Sequence, residues 1–138
     1  MKLIPLLLLV VIVCRTQATS FEARGSLRCN LPGQTWCFYF FLYEIDLLQD
    51  DLLAETGKQC TSDKSWEYHL AGNDNGDGIW DTRYEVSMKV RHNCSNHGEL
   101  LDLWSNELLF SIYRKNVNIK WSPDLTDRGK RAFIPGRD

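Results

Sequence analysis

The sequence predicts an all-β sandwich of two antiparallel sheets with about seven strands. Three observations carry that prediction: period-two alternation through most of the chain, turn residues that punctuate it, and four cysteines left once an N-terminal leader is set aside. Half-buried strands place successive side chains on opposite faces, so one face reads apolar and the other polar.

The leader comes first. Lys2 supplies a positive start, Leu3 to Cys14 is a run of twelve apolar residues broken only by Pro5, and short side chains follow at Thr16, Ala18 and Ser20. This is the layout of a secretory signal peptide, with cleavage expected after Ala18 and Ser20 as second choice. A helix of twelve residues covers roughly 18 Å of a hydrocarbon core roughly 30 Å thick, too short for a membrane span. Residues 1–18 are therefore read as leader, 19–126 as one domain, and 127–138 as a loose, charged, Gly/Pro-punctuated tail. Removing the leader leaves 14 basic and 18 acidic residues, a net charge of −4 with neutral histidines. An acidic chain lacks the electrostatic footprint of a nucleic-acid binder, and the absence of a sustained basic run argues against electrostatic membrane binding.

Along the domain, Thr35 to Ile45 is apolar on both faces, with Phe38, Phe40 and Leu42 on one and Tyr39, Phe41 and Tyr43 on the other. Such a strand is central, covered, or part of an interface. Trp66, Tyr68 and Leu70 alternate with Glu67 and His69. Tyr84, Val86, Met88 and Val90 alternate with Glu85, Ser87, Lys89 and Arg91, and Val117, Ile119 and Trp121 with Asn118 and Lys120. The best helix candidate is Glu99 to Leu109, where Leu100, Leu101, Leu103, Trp104 and Leu108 make an apolar face, although the same residues suit a strand. Turns are expected at Leu31-Pro32-Gly33, Thr56-Gly57, Asn73 to Gly78, Asn96 to Gly98 and Ser122-Pro123-Asp124.

Cys14 leaves with the leader, and Cys29, Cys37, Cys60 and Cys94 remain. In an oxidising compartment an even number implies two disulfides, and the spacing does not choose among the three pairings.

Gly25-Ser26-Leu27-Arg28-Cys29, Leu42-Tyr43-Glu44, Leu70-Ala71-Gly72 and His92-Asn93-Cys94, in this order over roughly residues 22 to 121, resemble motifs of the nematode transthyretin-like proteins. Gly25-Ser26-Leu27-Arg28-Cys29 is similar to the family's opening Gly-x-Leu-x-Cys strand. Leu42-Tyr43-Glu44 with Asp50 to Glu55 resembles its second strand, acidic loop and third strand; Leu70-Ala71-Gly72 and His92-Asn93-Cys94 resemble later strand ends. The chain departs from the pattern at Trp66, where a glycine is usual, in the longer loop between Gly72 and Arg83, and in lacking a Pro-Cys after Cys94. Cys37 and Cys60 look like additions. The resemblance implies a transthyretin-like, immunoglobulin-like sandwich, secretion, and no established catalytic centre or cofactor. It does not fix the disulfides; the pairing adopted with it is Cys29 with Cys94 and Cys37 with Cys60. The related hydrolases of 5-hydroxyisourate end in Tyr-Arg-Gly-Ser, whereas this chain ends Ile134-Pro135-Gly136-Arg137-Asp138 and follows its Tyr113-Arg114 step with Lys115.

Candidate sites follow from side-chain chemistry. Asn73, Asn75, Asp77 and Asp81 bracket Gly76 and Gly78 with the alternating oxygen ligands of a calcium loop, but Tyr84 stands where a bidentate glutamate belongs and turns use the same residues. His92, Cys94 and His97, with His69, are soft-metal types, but a secreted Cys94 is better used in a bridge and His92 sits on an apolar strand face. No nucleophile stands beside a base, so catalysis is not expected. Asn93-Cys94-Ser95 is a glycosylation sequon with an unfavourable cysteine in its middle. Arg128, Lys130 and Arg131 form an Arg-x-Lys-Arg processing pattern, and a precursor cut there is an alternative to the binding reading. Trp80 and Asp81, in a polar loop, and the outer row of Tyr39, Phe41 and Tyr43 are the binding candidates, because exposed aromatics with polar neighbours mark contact surfaces. The expected function is non-enzymatic binding of an extracellular protein, cell-surface component or small apolar ligand. A diverged hydrolase is the other alternative, and edge-strand association into a homodimer is compatible with such sheets.

Overall fold

The computed structural model describes residues 18–75 and 82–133. Nine strands occur among them: β1 (Thr19–Arg28), β2 (Trp36–Glu44), β3 (Asp51–Thr61), β4 (Ser65–Asp74), β5 (Arg83–His92), β6 (Leu101–Trp104), β7 (Leu108–Ser111), β8 (Asn116–Lys120) and β9 (Lys130–Arg131). They build a sandwich. The smaller sheet has the order β4-β1-β8, and the larger β3-β2-β5-β6-β9, with β7 also paired to β5. All pairings are antiparallel except β1 with β8.

The core forms where the apolar faces meet. Phe21, Ala23 and Leu27 of β1, with Val117 and Ile119 of β8, face Phe38, Phe40 and Leu42 of β2 and Val86, Met88 and Val90 of β5. Edge-to-face rings stitch the layers together: Phe40 with Tyr68 at 4.3 Å and Phe21 with Tyr84 at 5.1 Å. Burying a side chain of this size stabilises by about 1.5–3 kcal/mol, so this layer dominates the fold's energetics. The Tyr68 hydroxyl donates to the Trp121 carbonyl at 2.6 Å, and Gly25 lies beneath that carbonyl. A Cβ at Gly25 would sit 2.0 Å from the oxygen, so the close approach of β1 to the chain after β8 excludes any side chain there.

Two disulfides are formed, Cys29–Cys94 and Cys37–Cys60. The first ties the end of β1 to the loop after β5 and so joins the two sheets. The second crosses from β2 to β3, where the two cysteines are register partners.

Three sequence expectations are corrected. The stretch Glu99 to Leu109 is not a helix: it is β6 and β7, which pair with the two halves of β5. Leu101 and Leu103 face inward, opposite His92 and Val90, while Asp102 and Trp104 face outward. Ser105 makes the break, its N–H donating to the Met88 carbonyl and its Oγ accepting from the Met88 N–H. Thr56-Gly57 is not a turn between strands but a bulge inside β3. Two residues there oppose Phe40 alone, Gly57 has φ +66°, and the Phe40 N–H donates to the Thr56 hydroxyl. Residues 127–133 are not a loose tail. Lys130 and Arg131 pair with Asp102 and Leu101, the Ala132 N–H donates to the Leu100 carbonyl, and Ala132 is buried. Backbone partners 30 residues away hold a segment whose composition alone suggests solvent.

Candidate functional site

The outer face of the larger sheet gathers three half-buried aromatics and the exposed Trp104. Because Phe38, Phe40 and Leu42 point into the core, pleating sends Tyr39, Phe41 and Tyr43 outward along β2. Their rings stack in a row, Tyr39 to Phe41 at 6.4 Å and Phe41 to Tyr43 at 5.9 Å, and Trp104 of β6 extends it, 5.7 Å from Tyr43. Trp104 is the member that sequence reasoning missed, having placed it on a helix face. Strand alternation around Asp102-Leu103-Trp104 is the signal that would have found it.

Charges interleave with the rings. Lys89 and Arg91 of β5 stand opposite Phe41 and Tyr39 on one side and Trp104 and Asp102 on the other. The Lys89 ammonium lies 5.7 Å from the Phe41 ring centre and 5.3 Å from that of Trp104, within cation–π range. Arg91 grips Asp102 with two parallel bonds of 2.7 and 2.8 Å, and Lys89 approaches the same carboxylate at 3.4 Å. Burial opposes ionisation of Asp102, but the Arg91 hydrogen bonds and the two cations prevail and hold its carboxyl below the ordinary value. Its hydrogen bond to Asp102 likewise raises Arg91. Burial, reinforced by the Glu55 carboxylate, raises the Tyr43 phenol, so it stays a neutral donor. The face thus offers ring edges and hydroxyls around a fixed ion triad.

A second exposed apolar feature escaped the sequence reading. Leu47 and Leu48, 100% and 98% exposed, cap the turn between β2 and β3, which Asp46 and Asp50 brace by accepting from backbone N–H groups.

The other candidates separate. Trp80, Asp81 and Asp77 lie outside the described residues. Asn73 is in β4, paired with Ser20, and Asn75 directly follows that strand. Among the described residues no group of three or more metal-ligating side chains occurs. Asn93 accepts the Cys37 N–H on its side-chain oxygen at 2.7 Å and donates its own N–H to the Cys37 carbonyl, so the sequon's asparagine serves the fold. His69 is exposed on β4 near Glu22, while His92 is fully buried on β5. The two histidines therefore occupy different sheets. Lys130 and Arg131 are exposed but strand-paired with β6, and the exposed Arg128 lies two residues before them.

Comparison with known proteins adds three findings. An uncharacterized Caenorhabditis elegans protein is 33% identical over 79 residues, which is 57% of this chain and spans 58% of that relative. An alternative pilotin from the type II secretion system of Vibrio cholerae aligns over 76% of this chain and 96% of its own, with a TM-score of 0.44 and 15% identity, a likeness too distant to bear on function. The family model described as "Caenorhabditis elegans protein of unknown function (DUF870)" matches residues 24–132, from within β1 to just past β9, and the chain belongs to that family.

Proposed function

We propose that the protein is a secreted, non-enzymatic binding domain, transthyretin-like in architecture, that engages an extracellular protein or cell-surface component through the outer face of its larger sheet. The observation that carries this reading is the row Tyr39–Phe41–Tyr43–Trp104, four aromatic rings on a solvent-facing surface threaded by Lys89 and Arg91. Aromatic and Arg side chains are the residues most enriched in interface hot spots. A flat face suits a macromolecule better than a small apolar ligand, which calls for concave enclosure.

The leader pattern and two disulfides support secretion. The two-sheet order and the strand motifs support the transthyretin-like assignment. The non-enzymatic reading draws on the separation of His69 from His92 and on the commitment of the four domain cysteines to bridges, which leaves the hydrolase alternative without a shared centre.

The test is capture of partners from extracellular fluid with the oxidised protein, followed by titration with variants. Replacing Tyr39 and Trp104 together by serine is expected to weaken binding at least about tenfold, the loss of one modest hot spot. Trp80→Ala tests the other binding candidate of the sequence. Unchanged affinity in the face variant, with its unfolding midpoint preserved, would overturn the assignment.

A further inference from the structure

The Arg-x-Lys-Arg run is closed by the fold. Lys130 and Arg131 form β9 against Asp102 and Leu101. The next residue, Ala132, is buried and bonded through its N–H to Leu100. The Arg128 guanidinium reaches the Asp124 carbonyl at 3.4 Å, and Arg131 pairs with Glu99. Strand-like recognition of a peptide needs free main-chain hydrogen-bonding groups on an extended segment. Here those on the β6 side are already taken, which holds the segment against the sheet and leaves only its outer edge open.

Beneath this segment lies His92, with no exposed surface. Its Nε2 is 2.9 Å from the Arg128 carbonyl oxygen, and its Nδ1 is 3.2 Å from the Cys94 nitrogen. The Cys94 N–H can only donate, so Nδ1 accepts, and the ring proton sits on Nε2, donated to Arg128. The neutral ring satisfies both partners. A second proton on Nδ1 would confront the Cys94 N–H.

The charged neighbours are all engaged elsewhere. From β6, Asp102 is held by Arg91 and Lys89. From the C-terminal segment, Asp127 accepts from Asn96, and Arg128 is turned to Asp124. Glu99, after the loop, pairs with Arg131. From β2 the register partner is Phe38. Cys94 is in a bridge, and His97 is exposed. Burial accordingly holds the His92 imidazole below its ordinary value, with the Arg128 bond and Asp102 opposing only in part.

We propose that Arg128–Arg131 is a latent cleavage site for an endoprotease specific for basic residues, shut by β9 and opened when His92 takes up a proton. An imidazolium must reach water. The C-terminal segment that meets it, through the Arg128 carbonyl, is held to the sheet's edge two residues later by a strand of only two residues. Lifting it frees Arg128 to Ala132 to be bound in extended form. Hydrolysis then breaks the Arg131–Ala132 peptide bond: water gives its hydroxyl to the Arg131 carbonyl carbon and a proton to the Ala132 nitrogen.

The test uses the oxidised full chain and a protease that cuts after Arg-x-Lys-Arg, with a free peptide of residues 124–136 to correct for the enzyme's own pH profile. At about pH 7.5 the protein is expected to be cut after Arg131 at least about 100-fold more slowly than the peptide, and at about pH 5 within about tenfold of it, because cleavage tracks the population of the open form. His92→Gln is expected to keep the slow ratio at both pH values. In the unsubstituted protein, hydrogen-exchange protection of the Ala132 amide should fall along the same curve as His92 protonation followed by NMR, a readout that stands if the variant does not fold. A cleavage ratio that ignores pH, cutting at the peptide's rate near neutrality, retained acid sensitivity in His92→Gln, or loss of Ala132 protection while His92 is still neutral would each overturn the proposal.

Discussion

His92 and Asp102 both contribute to the pH dependence of stability, and their signs can be worked separately. His92 is lowered in the folded state, so the unfolded chain takes up its proton first as pH falls. Its contribution is intact above about pH 6.5 and is lost on acidification below that, with a slope approaching about 1.4 kcal/mol per pH unit. Asp102 is also lowered, so its contribution holds above about pH 4 and disappears below it. Urea unfolding across the pH range should show both segments; His92→Gln should erase the upper one, and Asp102→Asn should shrink the lower, to which Asp124, lowered by its Thr126 hydrogen bonds, also contributes. A third residue is steric. Gly25→Ala forces a Cβ into the Trp121 carbonyl and should cost at least about 2 kcal/mol, read from the shift in the urea midpoint. Sequence placed His92 on an apolar strand face, which is where it is. Its acceptor, the Arg128 carbonyl, was illegible because main-chain acceptors have no residue signature.

Among elements, β2 was the most legible. Its two-faced pattern pointed to a strand that is central, covered or part of an interface; it lies between β3 and β5, and its outer row is the aromatic surface of the larger sheet. β6 and β7 were not legible. Closely spaced leucines between Glu99 and Leu109 satisfy a 3.6-residue and a two-residue period alike, and the choice falls to β5, whose second edge offers hydrogen bonds along its full length. The Thr56-Gly57 bulge was hidden for a related reason, since a glycine at positive φ serves a turn and a bulge equally. Cross-strand chemistry gives two tests. A double-mutant cycle between Phe41 and Lys89, using Phe41→Leu and Lys89→Met, should give a coupling of about 0.5–1 kcal/mol. Replacing each cystine by two serines should destabilise by about 3.4 kcal/mol for Cys37–Cys60 and about 4.3 kcal/mol for Cys29–Cys94 on loop-closure grounds, with the inter-sheet bridge the costlier. The reverse order in urea midpoints would show that β3's attachment matters more than the tie between sheets.

For the whole molecule, the arrangement separates the core from the proposed contact face. The core lies between the sheets, and the aromatic row lies on the far side of the larger one, so Trp104→Ser, at the row's exposed end, should weaken partner binding while costing no more than about 1 kcal/mol of stability. The C-terminal segment belongs to the folded unit, closing the edge of β6. The most informative departure from the sequence reading is therefore at residues 127–133: a polar, glycine-bearing run became a strand because β6 had an unpaired edge within reach and Gly129, at φ +122°, let the chain come close to Asp102.

The sequence by itself determined the all-β class, the inward and outward faces of β2, β4, β5 and β8, and the number of cysteines available for bridging. These follow from periodicity and counting, which depend on neighbours along the chain. Tertiary structure decided the disulfide partners, the pairing of β6, β7 and β9, the membership of Trp104 in the aromatic row, and the closure of the basic run over His92. Each of these joins residues 9 to 65 positions apart through disulfides, backbone hydrogen bonds or side-chain packing. Local pattern fixes which face a side chain takes; only the folded sheet fixes what it meets there.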